Sequence, residues 1–200
     1  RVDGGSATAA LLMRPFSLAQ DRGGRLFIAD RRGISVVGTG GELRIVTGSS
    51  TISARGIANE AILGNDPTGE ILVAEGARVL RRFSDGRQVV IAGGGPAGAR
   101  GEGIPATQAD LACVSGLASD RAGNIYVSCI ATAVVRRIGA DGLIRTVAGN
   151  FLPGSSGDGG LATRAQVVPW HITTDAAGSL YLFDVAGLRV RRVTVDGVIQ

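Results

Sequence analysis

The residues of this 200-residue chain that could do chemistry fall at two repeated places. The first carries Asp30, Glu75 and Asp184. Each ends a short apolar run: Leu26-Phe27-Ile28-Ala29, Ile71-Leu72-Val73-Ala74 and Leu180-Tyr181-Leu182-Phe183. A fourth run, Ile125-Tyr126-Val127-Ser128, ends in Cys129 instead. Three carboxylates at equivalent points of one fold can converge on a divalent cation, because hard cations take oxygen ligands. They can instead cap their own turns by accepting backbone N–H bonds. Recurrence with the run, rather than variation from copy to copy, favours capping. The second place is Phe16-Ser17, Ala61-Ile62, Ser115-Gly116 and Trp170-His171. Trp170 and His171 are the only Trp and the only His of the chain, and they are adjacent. Such a pair can recognise a ligand or move a proton near neutral pH. It can equally be core packing, with the imidazole satisfied by a carbonyl.

Other chemistries lack their residue sets. One His and two Cys do not build a structural zinc site. No Gly-x-Ser-x-Gly pentapeptide marks a nucleophile on a strained turn. A disulfide between Cys113 and Cys129 is geometrically possible, but two cysteines make no framework, and free buried thiols are expected. Aromatic residues are 4% of the chain, too few for the stacking platforms of single-stranded nucleic-acid binders, so nucleic acid is not an expected partner. The net charge of +4 comes largely from Arg78, Arg81, Arg82, Arg136, Arg137, Arg189, Arg191 and Arg192. These recur at one place per repeat. Their stems are expected to cover apolar surface and their heads to pair with Asp and carbonyls of a neighbouring repeat.

The elements that position these residues are legible in the last repeat. His171 to Thr174 reads as a strand. Asp175-Ala176-Ala177-Gly178 has the Asp-first, Gly-fourth chemistry of a type I turn. The apolar run 180–183 reads as a strand buried on both faces. Leu188 to Thr194 is a third strand, Asp196-Gly197 a two-residue hairpin turn, and Val198 to Gln200 a fourth strand. The Asp-x-x-Gly turn recurs at Asp21, Asp66 and Asp120, at spacings of 45, 54 and 55 residues. The hairpin turn recurs at Gly40-Gly41, Asp85-Gly86 and Asp141-Gly142. Fourth strands recur at Leu43 to Thr47, Arg87 to Ala92 and Leu143 to Ala148, closed by Gly48, Gly93 and Gly149. Four strands per period of this length are the signature of β-propeller blades. The fold expected is all-β, one domain over 1–200, with blades at about 3–48, 49–95, 96–150 and 151–200. The Ala-Thr-x-Ala segments after Ser6, Pro105 and Leu161 are expected to form short helical turns in the loops between blades. The second blade, over Gly48 to Ile62, lacks that loop. With 44% apolar residues the chain can bury a core, and no run of 18 apolar residues offers a membrane span.

The motifs Gly157-Asp158-Gly159-Gly160-Leu161-Ala162-Thr163, Asp175 to Asp184 and Arg189-Val190-Arg191-Arg192-Val193 resemble the NHL-repeat β-propeller family, bacterial secreted or cell-surface type. Leu161 stands where the family has Pro, His171 where it has Gly, and Ser128-Cys129 where it has Ala-Asp. The resemblance implies a six-bladed ring, of which four blades are present, so the chain reads as a segment with further blades outside it. It implies an extracellular, periplasmic or cell-surface location. The function expected is a non-catalytic binding domain presenting its loop face or channel mouth to a protein, glycan or small ligand. Phe16, Trp170 and His171 are its candidate contacts, and no cofactor is expected. The alternative is a metal-dependent, lactonase-like propeller hydrolase or lyase with a divalent cation on Asp30, Glu75 and Asp184. Exposed apolar blade faces would make the segment alone unstable or self-associating.

Overall fold

A computed structural model of the chain describes residues 3–47, 62–66, 68–96, 98 and 101–200. They form four antiparallel sheets and almost no helix. The first sheet holds β1 (Gly5–Ser6), β2 (Ser17–Gln20), β3 (Leu26–Asp30), β4 (Gly33–Val37) and β5 (Glu42–Thr47), in the order β1-β5-β4-β3-β2. The second holds β6 (Ile62–Asn65), β7 (Ile71–Glu75), β8 (Arg78–Arg82) and β9 (Gln88–Ala92) in chain order. The third holds β10 (Ile104–Pro105), β11 (Gly116–Ser119), β12 (Ile125–Cys129), β13 (Val134–Ile138) and β14 (Leu143–Ala148), in the order β10-β14-β13-β12-β11. The fourth holds β15 (Pro169–Thr174), β16 (Leu180–Asp184) and β17 (Arg189–Val193). Successive sheets meet through their first long strands: β2 touches β6, β6 touches β11 and β11 touches β15. The fold is an arc of four β-propeller blades.

The turns explain why each blade folds on itself. At the first turn of every blade the Asp carboxylate accepts two backbone N–H bonds. Asp21 takes Gly23 and Arg25, Asp66 takes Thr68 and Glu70, Asp120 takes Ala122 and Asn124, and Asp175 takes Ala177 and Ser179. The fourth residue, Gly24, Gly69, Gly123 or Gly178, has positive φ, which a side chain rarely adopts. The later hairpins differ from the two-residue turn expected. Gly142 N–H bonds Gly139 O, and Gly139 N–H bonds Leu143 O. Three residues thus connect the strands in a type I turn followed by a left-handed Gly, and Asp141 keeps negative φ.

The loops between blades behave as expected and do one thing more. Ala7–Ala9, Ala106–Gln108 and Ala162–Arg164 are 3₁₀ turns. Just before them, β1 and β10 add to the outer strand of the blade they lead into, pairing with β5 and β14. In the fourth blade Leu161 bridges Val198 and Val193 bridges Ile199, so Val198 to Gln200 lies at the fourth-strand place without forming a continuous ladder. The loop expected to be short, at 48–61, lies outside the described residues.

Three apolar cores sit between consecutive blades. Phe27, Ile34 and Val36 meet Leu63, Ile71 and Val73. Leu72, Val79 and Ala92 meet Val127, Val134 and Ile144. Tyr126, Val135 and Ala148 meet Leu180, Leu182 and Val193. The two outermost faces have no such cover among the described residues. Leu18 shares its register position with Leu63, Leu117 and Ile172. It is 61% exposed, while those three are buried. Val190 shares its position with Ile34, Val79 and Val135. It is 67% exposed, while those three are buried.

Arg81, Arg136 and Arg191 pair as expected in kind, but within their own blade rather than with a neighbour. Arg81 meets Asp66, and Arg136 meets the carbonyl of Gly101 and the carboxylate of Glu102. Arg191 meets Asp184 and Asp158. The reason is geometric. The loop carrying Glu102 or Asp158 folds back along the blade it enters, which puts its carboxylate over that blade's third strand.

Candidate functional site

The carboxylates at the ends of β3 and β16 are tied to backbone. Asp30 is buried and accepts N–H bonds from Met13 (2.9 Å) and Arg32 (2.8 Å). Asp184 is buried and accepts from Val168 (3.1 Å) and Ala186 (3.2 Å), while its other oxygen accepts from Arg191 Nη1 at 3.1 Å. Each carboxylate thus joins its own turn to the segment that leads into the blade's first long strand. Glu75, at the equivalent place on β7, is exposed and sits across from Arg78. Its charge acts on Arg82, whose guanidinium pKa burial lowers from the ordinary range. Cys129 is buried in the core between the second and third blades, and burial pushes its thiol up to about 12, so it stays protonated. Cys129 and the half-buried Cys113 are both free thiols. Among the described residues no three His, Cys, Asp or Glu side chains are gathered closely enough to hold a metal ion.

Trp170 and His171 occupy a different kind of place. On β15, Pro169 pairs with Asp184 and Ile172 with Leu182. Two residues, Trp170 and His171, therefore face the single residue Phe183, and the strand bulges there. Both side chains are exposed, Trp170 to 47%, and their rings stack with centroids 6.1 Å apart and planes at 29°. Burial of part of the imidazole lowers the His171 pKa below its ordinary value, so the ring is neutral at pH 7.

The third blade holds this bulge in place. Ser128 Oγ donates to Trp170 O at 2.6 Å, and Ser115 Oγ donates to Pro169 O at 3.0 Å. The two serine Oγ atoms lie 3.0 Å apart and are buried. Gly116 makes room: a Cβ there would lie 2.8 Å from both Ser128 Oγ and Trp170 O. Among the described residues no other blade has this set. The register positions of Ser128 are Ala29, Ala74 and Phe183 elsewhere, and none of these carries a hydroxyl. In the sequence Ser128 stands out as a departure from the repeat, and Ser115 only as a member of the column that holds Trp170. Their common target, a pair of carbonyls in the next blade, does not show there.

Phe16, the other aromatic of this column, is not brought to the pair. It is half-buried against the core between the first and second blades. Ala61 lies outside the described residues.

No protein-family profile matches the chain. It is 26% identical to mouse Teneurin-3 over 96% of its length, which is 8% of that protein. Solved structures share the fold. A protein of unknown function from Bacteroides thetaiotaomicron superposes with a TM-score of 0.73 at 18% identity, over 94% of this chain and 48% of that one. An auxiliary nutrient binding protein from the same organism gives 0.66 at 17% identity, over 88% and 46%. A gluconolactonase from Xanthomonas campestris gives 0.60 at 18% identity, over 92% and 60%. The chain spans about half the length of these structures. At such identities the likeness shows the propeller fold, which hosts binding proteins and enzymes alike.

Proposed function

We propose that this chain is a non-catalytic binding segment of an NHL-type propeller, with Trp170 and His171 as its recognition element. The observation that carries the reading is the bulge. It exposes the only indole and the only imidazole of the chain at the start of an inner strand, and buried hydroxyls of another blade fix it. A neutral imidazole stacked on an exposed indole suits a ligand that is itself neutral and presents a flat or ring face, such as a glycan, a peptide aromatic or a small molecule. The likeness to a nutrient binding protein supports the same class and an exported location, extracellular, periplasmic or at the cell surface. Among the described residues no helix is long and apolar enough to cross a membrane. Asp30 has both oxygens engaged by backbone N–H groups, and Asp184 has one engaged by backbone and the other by Arg191, which supports a structural role for them over metal ligation. The exposed faces carrying Leu18 and Val190 support further blades of the same kind beside them, as a six-bladed ring requires.

The single Trp makes the test direct. Glycans, peptides and small metabolites are titrated while the Trp170 emission is followed. The reading expects a ligand that changes the emission and no longer binds Trp170→Ala. A ligand of the isolated chain that binds Trp170→Ala and His171→Ala unchanged overturns it. Melting with and without Ca²⁺, Mg²⁺, Mn²⁺ and Zn²⁺ tests the metal-dependent alternative. No ion is expected to raise the melting temperature, and a rise abolished by Glu75→Gln would revive that alternative.

A further inference from the structure

At the end of the fourth blade away from Asp184, the third and fourth blades part into a groove of about 260 Å³. Its apolar walls are Val147, Leu161, Leu180 and Val195, and Leu161 and Val195 form exposed lips. Tyr126 and Arg137 line its polar side. The volume lies just below the roughly 300 Å³ at which ordinary ligand pockets begin, so an occupant has few atoms.

Arg137 differs from its counterparts in the repeat. Arg81, at the same register position in the second blade, forms an ion pair with Asp66. Arg192, in the fourth, donates to Ser179 Oγ at 3.0 Å. In the third blade the corresponding carboxylate, Asp120, is already engaged. It accepts from the backbone of Ala122 and Asn124, from Asn124 Nδ2 at 2.7 Å and from Tyr126 Oη at 2.9 Å. Arg137 is left to the Tyr126 phenol, with which it shares a side-chain hydrogen bond, and its Nε is buried without a partner, as is that of Arg192. Directly across the ladder stands a second arginine, Arg145, which Asp141 holds at 3.0 Å. Like charges facing each other on a sheet are unfavourable. Arg145 is neutralised, and among the described residues no carboxylate forms an ion pair with Arg137.

We infer that this groove binds a small organic carboxylate. The acid group meets Arg137 and the short apolar body lies along Leu161, Val147 and Val195. A guanidinium is suited to a carboxylate, because its planar fork donates two parallel bonds. This site lies away from the Trp170–His171 bulge and does not depend on it.

The test is isothermal titration of the full chain with hexanoate and with hexanamide, which share a body and differ in charge. Hexanoate is expected to bind at least about tenfold more tightly, the factor that a charge-assisted hydrogen bond supports. Arg137→Gln should abolish the difference, while Arg145→Gln should leave it. Val195→Asp changes only an exposed lip and should block hexanoate with the melting temperature unchanged, which separates loss of binding from loss of fold. Equal affinity for the amide, no heat with hexanoate, or undiminished binding to Val195→Asp would each overturn the inference.

Discussion

Arg191 and Asp184 form an ion pair with both side chains fully buried, Nη1 to Oδ2 at 3.1 Å. The same guanidinium reaches Asp158 at 2.6 Å and the carbonyls of Gln166 and Ser156. One side chain thus ties the third strand of the fourth blade, the end of its second strand and the loop that enters the blade. A buried charge is tolerated only when its partners are complete. Replacing Arg191 by Met leaves Asp184 buried without its cation and should cost about 3–5 kcal/mol of stability. Arg189 pairs with the same Asp158 at 2.7 Å, but at the surface, so Arg189→Met should cost under about 1 kcal/mol. Urea denaturation of the two variants checks the ordering. Equal losses would mean that burial does not govern these pairs.

Removing the Ser128 hydroxyl should release the bulge. Ser128→Ala leaves the Trp170 carbonyl without its 2.6 Å donor, which should cost about 1–3 kcal/mol. Because Trp170 is the only indole, its emission maximum and anisotropy report the bulge alone. Gly116→Ala should act the same way through crowding, since its Cβ would lie 2.8 Å from the same carbonyl. Ser119→Ala, at the far end of the same strand, is the control and should leave the emission unchanged. Unaltered Trp170 emission in both test variants would show that the bulge is held by something else.

The turns and the bulge mark where sequence suffices and where it does not. The Asp-x-x-Gly turns were legible because their chemistry is local. Asp120 bonds the backbone of Ala122 and Asn124, two and four residues away. Four copies of that signal set the blade period and hence the fold. The bulge is illegible for the opposite reason. It depends on Ser128 and Pro169–Trp170 meeting across a blade interface, 42 residues apart in the chain for the Ser128–Trp170 bond. The arginine partners were legible by type but not by blade, because a loop's path, which no local signal encodes, decides which carboxylate a guanidinium reaches. The short hairpins are ambiguous in sequence because Asp-Gly suits both the two-residue turn and the longer turn with a bulge, and only the strand register separates the two.

His171 gives a pH dependence with a definite sign. Burial lowers its pKa in the folded chain below the ordinary value of about 6.5. As pH falls, the unfolded chain takes up this proton first, so this residue draws the equilibrium toward unfolding. Its effect is absent above about pH 6.5 and grows as pH falls towards the lower folded pKa. The single imidazole can be titrated by proton NMR without assignment. The midpoint should lie below that of a free histidine and should rise toward it in Ser128→Ala, where the bulge loosens. A midpoint above the free value would mean that a carboxylate, not burial, controls the ring.

The outer faces of the first and fourth blades should make the isolated chain self-associate. Leu18 and Val190 occupy positions that are buried at every other blade, and burying such side chains stabilises by about 1.5–3 kcal/mol each. The first blade's free face and the fourth blade's free face are the two halves of one repeated interface, so copies can stack head to tail. That contact is heterologous and need not close, so a range of species is expected rather than a single dimer. Sedimentation velocity should show boundaries that move to larger species as concentration rises. Leu18→Lys combined with Val190→Lys puts charge on both halves and should return the chain to a single slow boundary. Neither residue lies in the three cores, so at concentrations low enough to keep the parent monomeric the double variant should melt no earlier than the parent. A sharp monomer boundary for the unmodified chain, with cooperative melting, would mean instead that the four blades cover these faces themselves.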